Sequence, residues 1–399
     1  MIHFDESIEI LKNLEINSYR IKELYLVDAL GYVLAMDIVA DHNSPELPTS
    51  AMDGYAIIHE DMTLGRLKIE SVNPAGSALK KEVIGGTCIK TFTGSLMPHG
   101  ADTLIPIENV SVEGDDIIIN EEVSQGFSVR EVGENYAQGQ LLIPKGTKID
   151  FPQIGVMASL NIANVLVYEK PIVAILSTGS ELLELGEEQT NDAQIRSSNN
   201  YILEAIVNKY DAVPLQLGCI KDDKATITKE ISEAIEKSDI VVTTGGVSVG
   251  DFDFVKDVIY ELDCEVVFKG VRVKPGQHIM VARKDDKFII GLPGFAFSST
   301  VTALLYLVPL IAKLQRGKCA LRIVKAKLGE PFVKRAKKAE FTACNVSLHQ
   351  GEYYVDFKDK KVGSSAILTN MLGNVALLVT SEEDTSKVIG DEVSILLFG

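Results

Sequence analysis

The sequence predicts a multidomain protein of the α/β plus β class, with a central three-layer α/β module whose sheet is mostly parallel. Three observations lead to this fold class. The chain has 399 residues, which is more than one ordinary hydrophobic core holds. Between residues 171 and 317, short apolar runs alternate with helix-length segments, as in a parallel sheet covered on both faces. From about residue 319 the helical spacing gives way to alternation, which indicates a small β-barrel or sandwich.

The α/β module is predicted element by element from apolar periodicity. Continuous apolar runs predict buried strands at 172–176, 213–219, 240–243, 279–282 and 288–290. Helical spacing predicts helices at 199–209, 223–237, 252–262 and 298–313. In such a sheet, ligands bind beyond the carboxyl ends of the strands, so the functional residues are expected there.

The flanking segments have other patterns. Helical spacing recurs through residues 4–29, and a stiff loop with two prolines follows at 43–55. Residues 56–130 are β-like and punctuated by glycine, whereas 136–168 combine a strand at 141–143 with a short helix at 152–160. Alternation predicts three of the C-terminal strands, at 321–325, 353–357 and 393–396.

Composition excludes several functional classes. There are 39 Lys and Arg residues against 56 Asp and Glu, a net charge of −17, which argues against a nucleic-acid partner. Five widely spaced cysteines and six scattered histidines form no zinc pattern and indicate reduced thiols in a cytoplasmic protein. The acidic N-terminus does not resemble a signal peptide, and the longest apolar stretch, 301–314, contains Pro309 and is too short to span a bilayer, so no membrane partner is expected.

Three glycine-bearing loops follow predicted strands of the sheet. They are Ser177–Thr178–Gly179, Thr244–Gly245–Gly246 with Ser248 close behind, and Pro293–Gly294, which leads toward Ser298. A strand, a glycine turn and a helix start present free backbone N–H groups to a phosphate or another oxyanion. Each loop alone is equally consistent with a tight turn, but three at one sheet edge indicate an anion-binding site.

Charged residues accompany these loops. Asp251 and Asp253 follow the second loop directly, and a carboxylate beside a phosphate site indicates a bridging Mg²⁺ ion. Asp222 lies at the same edge after the strand 213–219; taken alone, it and Asp223 are more typical of a loop or a helix cap. Lys274, before Pro275, supplies a cation in extended geometry, although a solvated basic turn fits as well.

Six motifs follow one another along the chain. They are P-x-x-P-x-S-A-M-D-G-Y-A (45–56), T-G-x-x-x-P-x-G-A-D (93–102), S-T-G-x-E-L (177–182), T-T-G-G-V-S-V-G-D-x-D-F (243–254), K-P-G (274–276) and G-L-P-G (291–294). In this order they resemble the family of MoeA and the gephyrin E domain, and the resemblance covers nearly the whole chain.

The resemblance implies four domains and a homodimer. A discontinuous N-terminal domain would comprise 1–53 and 134–170, and a β-rich domain 54–133. The α/β molybdopterin-binding domain would comprise 171–317 and a C-terminal β-barrel 318–399. The implied reaction is insertion of molybdate into adenylylated molybdopterin, with Mg²⁺ as cofactor and release of AMP. A molybdopterin adenylyltransferase is a further possible partner.

Site residues follow from the motifs and the resemblance together. Asp53, Thr93, Glu181 and Asp253 are expected to be catalytic, the first two across the dimer. Asp222, Asp253 and Glu181 are expected to hold or orient Mg²⁺. Lys274 and Ser298 are assigned to the oxyanion. The substrate-binding set is Ser177, Thr178, Gly179, Gly245, Gly246, Ser248, Lys274, Pro293, Gly294 and Ser298.

The chain departs from the family pattern beside the expected anion site. The family's K-P-G-K-P is Lys274–Pro275–Gly276–Gln277–His278 here, and P-G-N-P-V-S is Pro293–Gly294–Phe295–Ala296–Phe297–Ser298. Asn135 replaces a frequent acid in another motif. Three alternatives to the transferase therefore stay open: a tungstate-selective paralogue, a pterin carrier or scaffold, and a molybdopterin adenylyltransferase. A molybdate sensor is more remote, since no DNA-binding helix pair is present.

Overall fold

A computed structural model describes residues 1–77, 81–246 and 254–398. These residues form two compact units. The first unit contains Met1–Ala35, Gly146–Asp150 and the chain from Asn164 onward, and the second contains Met36–Lys145 and Phe151–Ala163. The four predicted domain ranges divide the chain more finely and remain predictions.

The first unit is built on a six-stranded sheet. Its strands are β1 (Ile172–Thr178), β2 (Val213–Ile220), β3 (Ile240–Thr244), β4 (Glu265–Lys269), β5 (Met280–Lys284) and β6 (Lys287–Leu292). The spatial order is β2-β1-β3-β6-β5-β4. Strands β2, β1, β3 and β6 run parallel, and β5 is antiparallel to both of its neighbours, β6 and β4. The mostly parallel sheet is confirmed; β4 was not predicted.

Helices cover both faces of this sheet. They are α1 (Asn199–Lys209), α2 (Lys224–Lys237), α3 (Phe254–Glu261) and a long helix, α4, which runs through Ala296–Thr302, a π-helical Ala303–Leu307 and Val308–Leu314. Along β1, Val173 and Ile175 pack in the core with α1 and α4, whereas Ala174 and Leu176 pack with α2 and α3. Burial of each valine, isoleucine or leucine side chain of this kind contributes about 1.5–3 kcal/mol. The three-layer module is therefore confirmed.

Helix α4 is also the one described helix that is long and apolar enough to cross a membrane. Its span, Ala296–Leu314, is 78 % buried inside the protein. Tyr306 and Leu310 are completely buried and belong to the core shared with the sheet. Its apolar composition is thus explained by burial in the fold.

The N-terminal segment packs on the same face as α4. The helix Phe4–Asn13 buries Leu11 there, and the hydroxyls of Ser7 and Tyr306 are 2.8 Å apart. The helical prediction is wrong beyond this helix, because Ile21–Tyr25 is a strand paired antiparallel with Asn164–Tyr168. The short strand Val33–Leu34 adds to the other side of Asn164–Tyr168.

The C-terminal strands form a closed barrel. They are β7 (Arg322–Leu328), β8 (Ala339–His349), β9 (Glu352–Asp356), β10 (Val375–Thr380) and β11 (Glu392–Leu397), and each pairs with two neighbours in the order β8-β9-β7-β11-β10 and back to β8. Closure leaves no unpaired strand edge in this ring. The two-residue strand Val273–Lys274 pairs with the start of β8, which ties the barrel to the α/β module.

The second unit contains a six-stranded sheet with an apolar core. In spatial order its strands are Thr103–Pro106, Gly54–Ile57, Thr87–Thr91, Arg66–Asn73, Asp116–Ile119 and Val110–Glu113. Two short ladders accompany it, Thr49–Ser50 with Val129–Arg130 and Ile38–Val39 with Leu141–Ile143, and the helix Phe151–Ser159 completes the unit. The β-rich character predicted for residues 56–130 is confirmed.

Candidate functional site

The carboxyl ends of three parallel strands lie side by side in the first unit. Ser177 of β1 is in register with Thr244 of β3, and Thr244 is in register with Leu292 of β6. The Ser177 hydroxyl oxygen lies 2.6 Å from both the Asn200 amide oxygen and the Thr244 hydroxyl. Ser177 is completely buried. Ser177 therefore connects the carboxyl ends of β1 and β3, and the three glycine loops follow at the same edge of the sheet.

Two of the glycine loops converge so closely that side chains are excluded. Gly245 and Gly246 have left-handed φ angles of 88° and 68°. A Cβ atom on Gly245 would lie 2.6 Å from the Thr178 carbonyl oxygen, and one on Gly246 would lie 2.6 Å from Val255 Cγ2. Gly294, in the third loop, approaches the Gly245 backbone. Glycine is required here by both conformation and space.

These loops surround a cavity of about 500 Å³. The volume lies within the range of small-molecule sites. Most of the predicted substrate-binding residues at the strand ends line it. The lining residues are Thr178, Gly179, Glu181, Leu182, Ile195, Asn199, Asp222, Thr244, Gly245, Gly246, His278, Pro293, Gly294 and Phe295. We name the space that these residues enclose the large cavity.

Two carboxylates face the large cavity. The Glu181 carboxylate lies over Gly179, where a Cβ atom would be 2.9 Å from both of its oxygens. Asp222 Oδ2 accepts a hydrogen bond of 3.0 Å from the Ser180 backbone N–H, so the loops after β1 and β2 are joined. Asp223 caps α2 by accepting from the Thr226 backbone N–H, as its position before a helix indicated.

The oxygen atoms of this region suit a hard divalent cation. Besides Glu181 and Asp222, the buried Thr178 hydroxyl oxygen has no hydrogen-bond partner in the structure. Carboxylate and hydroxyl oxygens are the ligands that Mg²⁺ prefers. Within the ranges 1–77, 81–246 and 254–398, no cluster of three or more His, Cys, Asp or Glu side chains is arranged for metal binding. Asp253 and Ser248, with Asp251, lie outside the described residues.

Lys274 and Ser298 line or border a second, smaller cavity. Lys274 Nζ forms a 3.0 Å ion pair with Glu340, whose side chain is 3 % exposed. Ser298 is buried and its hydroxyl donates to the Ser365 carbonyl oxygen at 3.1 Å. The small cavity is lined by Lys274, Pro275, Phe297, Glu340, Phe341, Thr342, Ala343, Val362, Gly363, Ser364, Ser365 and Asn370, between the barrel and the α/β module. Neither Lys274 nor Ser298 is among the residues lining the large cavity.

Asn199, His278 and Phe295 line the large cavity but were given no role from the sequence. Asn199 starts α1, donates to the Gly294 carbonyl oxygen at 2.8 Å and has a buried, unpartnered amide oxygen. Phe295 is 63 % exposed at the rim. His278 lines the cavity and its Nε2 lies 2.8 Å from Gln277 Nε2. The polar pair Asn199–Asn200 in the first turn of α1 was the available signal for the first. For His278 and Phe295 the signal was their departure from the family pattern, which gave them no definite role.

In the second unit, Asp53 and Thr93 form a compact polar pair. Asp53 Oδ1 accepts from the Thr93 hydroxyl at 2.6 Å and from the Thr93 backbone N–H at 2.8 Å. The bond from the Thr93 hydroxyl has the larger effect and the bond from its backbone N–H the smaller one. Together they lower the pKa of the exposed Asp53 carboxyl below its ordinary value. The two residues predicted to act together are therefore joined directly.

Comparison with protein-family models gives two matches. Residues 2–161 match the model described as the MoeA N-terminal region (domain I and II), and residues 174–313 match a probable molybdopterin binding domain.

Individual relatives agree with the family models. The chain is 32 % identical over 334 residues to a molybdopterin molybdenumtransferase of Staphylococcus epidermidis, covering 81 % of this chain and 77 % of that protein. It is 34 % identical over 295 residues to the Nostoc sp. protein of the same name, covering 72 % and 67 %. The crystal structure of a molybdopterin biosynthesis moeA protein from Pyrococcus horikoshii matches over 100 % of both chains with a TM-score of 0.85 and 29 % identity.

Proposed function

Because the chain belongs to the molybdopterin molybdenumtransferase family, we propose that it inserts molybdate into adenylylated molybdopterin and releases AMP. The large cavity carries the proposal. Glycine loops at three adjacent strand ends leave room for the pyrophosphate, with the Gly179 and Gly245 backbone N–H groups already donating to the Ile220 and Leu292 carbonyl oxygens. An exposed aromatic ring, Phe295, offers an apolar surface to the pterin.

Magnesium is part of this proposal. The substrate's pyrophosphate is anionic, and the large cavity contains the carboxyl groups of Glu181 and Asp222. A divalent cation would offset the repulsion between them. Glu181, Asp222 and the Thr178 hydroxyl would hold it, with Asp253 as a further acid from the sequence motif. When bound, Mg²⁺ would neutralise phosphate charge and polarise the phosphoryl oxygens.

We propose that the oxyanion binds beside Lys274 and Ser298 but outside the small cavity, whose volume of about 20 Å³ suits a single water molecule. Lys274 supplies a cation there and Ser298 a hydroxyl group at its border. The ion pair with the buried Glu340 holds Lys274 in place. A tetrahedral dianion would compete with Glu340 for the ammonium group, which favours loose capture of the oxyanion and its later transfer.

The remaining assignments extend the proposal beyond one chain. Asp53 and Thr93 are proposed to act on the substrate from the partner subunit of a homodimer, as the family resemblance implies. A molybdopterin adenylyltransferase that supplies the adenylylated pterin is the proposed protein partner, and the cytoplasm is the proposed location.

The first experiment measures turnover directly. Purified protein is incubated with adenylylated molybdopterin, Mg²⁺ and increasing molybdate or tungstate, and both AMP release and metal bound to the pterin are quantified. Molybdate-dependent AMP release with metal incorporation is the expected result. Pterin binding without AMP release would overturn the transferase proposal and indicate a carrier, whereas release only with tungstate would change the oxyanion assignment.

A pair of variants tests the metal assignment. Asp222→Asn is expected to raise the Mg²⁺ concentration needed for half-maximal AMP release by about tenfold or more, because a ligand charge is lost. Glu236→Gln, which removes an exposed acid on α2, is the matched control and should leave the Mg²⁺ dependence unchanged. Equal Mg²⁺ dependence in the two variants would contradict the assignment.

A further inference from the structure

The loop Lys274–His278 joins the two cavities. Lys274 lines the small cavity, and His278 lines the large one. At its centre, Gly276 has a φ of 95°, and a Cβ atom there would lie 2.1 Å from Thr302 Cγ2 of α4. The loop is therefore packed tightly against α4, which fixes the positions of Gln277 and His278.

A hydrogen-bonded series reaches His278 from the barrel. Lys338, just before β8, contacts Gln277 Oε1 through its ammonium group, and Gln277 Nε2 lies 2.8 Å from His278 Nε2. An ammonium group can only donate, so the Gln277 side-chain oxygen must be the acceptor. The Gln277 amide nitrogen then faces the imidazole and donates to it.

The tautomer of His278 follows from this order of donors. Because Nε2 accepts from Gln277, the ring hydrogen is on Nδ1. Among the described residues, none forms a hydrogen bond with His278 Nδ1. The free donor of the ring is thus available to a ligand in the large cavity.

We propose that His278 binds the substrate by donating its Nδ1–H to a phosphate oxygen, and that Gln277 and Lys338 are positioning residues for this donor. The identity of the ligand as an adenylylated pterin rests on the proposed function. In the described lining of the large cavity, His278 is the one imidazole or basic side chain, beside the acids Glu181 and Asp222.

The tautomer is tested first, by NMR of the full-length protein with ¹⁵N-labelled histidine. The His278→Asn variant identifies the His278 signals among the six histidines. Wild-type protein is expected to show a neutral ring with hydrogen on Nδ1. Gln277→Glu removes the amide donor, so the ring should move its hydrogen to Nε2 or become charged. Lys338→Met should give a mixture of tautomers, and Lys337→Met, at the exposed neighbour, should match wild type. A wild-type ring with hydrogen on Nε2 would overturn the proposal.

Binding is tested with AMP as the probe, by isothermal titration calorimetry. His278→Leu is expected to weaken AMP binding about tenfold or more, since a hydrogen bond to a charged phosphate is lost. His278→Asn places an amide N–H near the position of Nδ1 and should remain within about threefold of wild type. Undetectable binding of AMP by the wild type, or equal affinity of wild type and His278→Leu, would overturn the proposal.

A double-mutant cycle separates positioning from general damage. Lys338→Met should weaken AMP binding about three- to tenfold in the wild-type background and have no effect in the His278→Leu background. Additive losses would show that Lys338 does not act through His278. Thermal unfolding of each variant verifies that the fold is retained.

Failure of this inference and failure of the transferase proposal give different results. If AMP binds as expected but molybdate causes no AMP release, the transferase proposal falls and the role of His278 stands. If His278→Leu retains wild-type AMP binding and AMP release, the inference falls and the transferase proposal stands.

Discussion

The Asp53 carboxyl group shows how one residue pair sets a proton affinity at the surface of the second unit. Two hydrogen bonds from Thr93 lower its pKa, although the group is not buried. A folded pKa below the unfolded value means that the carboxylate adds stability above the unfolded pKa. That stability is lost as the pH falls through the lower, folded pKa.

The Thr93→Val substitution removes the hydroxyl bond and keeps the backbone bond. We expect the Asp53 pKa to rise toward its ordinary value, measured by ¹³C NMR of the carboxyl carbon during an acid titration. The variant should also lose less stability on acidification than the wild type does, because its folded Asp53 pKa lies closer to the unfolded value. Thr63→Val, whose hydroxyl donates to the Glu60 carbonyl instead, is the control. An unchanged Asp53 pKa in Thr93→Val would contradict this explanation.

The Lys274–Glu340 ion pair has a structural role separate from ligand binding. Lys274→Met leaves the buried Glu340 carboxylate without its cation and should reduce the free energy of unfolding by about 3 kcal/mol. The double variant Lys274→Met/Glu340→Gln removes both charges and should recover part of this loss. Urea unfolding measures both. Equal stability of the single and double variants would show that the pair does not act as a unit.

Among single residues, those best predicted from the sequence are polar or glycine residues that also lie at the end of a predicted strand. Five of the predicted residues lie at or just after the ends of strands, and the structure places them around one cavity: Thr178, Gly179, Glu181, Asp222 and Gly245. Their roles in catalysis and binding remain predictions. The separation of Lys274 from this cavity was not foreseeable, because it depends on pairing of Val273–Lys274 with a barrel strand more than sixty residues later. Spacing along the chain carries no information about that partner.

Among the elements of the second unit, the strand Gly54–Ile57 is buried along its whole length. It pairs with Thr87–Thr91 on one side and Thr103–Pro106 on the other. A Cβ atom on Gly54 would lie 2.2 Å from the Ile105 carbonyl oxygen, which is part of a paired strand and has little freedom to move.

Gly54→Ala should therefore destabilise the second unit by about 1–3 kcal/mol, as overpacking of a core does. Gly85→Ala is the matched control, because a Cβ atom there meets nothing within 4 Å. Urea unfolding of the two variants is compared with that of the wild type. The explanation fails if Gly54→Ala and Gly85→Ala unfold at the same urea concentration.

The helices and strands of the α/β module were largely predictable, and the reason is local. Buried parallel strands are continuous apolar runs, and α1 was predicted with the bounds that the structure has, Asn199–Lys209. Ile21–Tyr25 was predicted wrongly as helix because Ile21 and Leu24 are three residues apart. Its state is decided by pairing with Asn164–Tyr168, about 140 residues away. The strand Glu265–Lys269 was also missed. It lies at the edge of the sheet and pairs with one neighbour only.

For the molecule as a whole, the most informative feature is the attachment of the N-terminal segment to the first unit. The Asp286 carboxylate, at the turn between β5 and β6, accepts hydrogen bonds from the backbone and side chains of Asn17 and Ser18. Partial burial is the largest single effect on this carboxyl group and would raise its pKa, but the four hydrogen bonds together outweigh it, so the Asp286 pKa is lowered. The attachment is therefore expected at neutral pH and should weaken as the pH falls through the lowered pKa.

Asp286→Ala should release this attachment and leave the sheet intact. We expect faster amide hydrogen exchange at Asn17 and Ser18, with exchange in β1 and β3 unchanged. Asp285→Ala, at the neighbouring residue of the same turn, tests whether the turn itself matters, since its φ of 57° disfavours alanine. Protection of Asn17 and Ser18 that survives in Asp286→Ala would contradict the assignment.

The contacts of the first residues also constrain how the chain folds during synthesis. Ile2 bonds to Gly270, Ser7 to Tyr306, and the Lys12 carbonyl to Lys313. A ribosome must therefore translate some 300 residues more before the helix Phe4–Asn13 meets its partners. The second unit, which ends at Ala163, has its whole sequence available much earlier. Vectorial synthesis thus favours early folding of the second unit, while the N-terminal helix remains without its partners until the chain has reached Lys313.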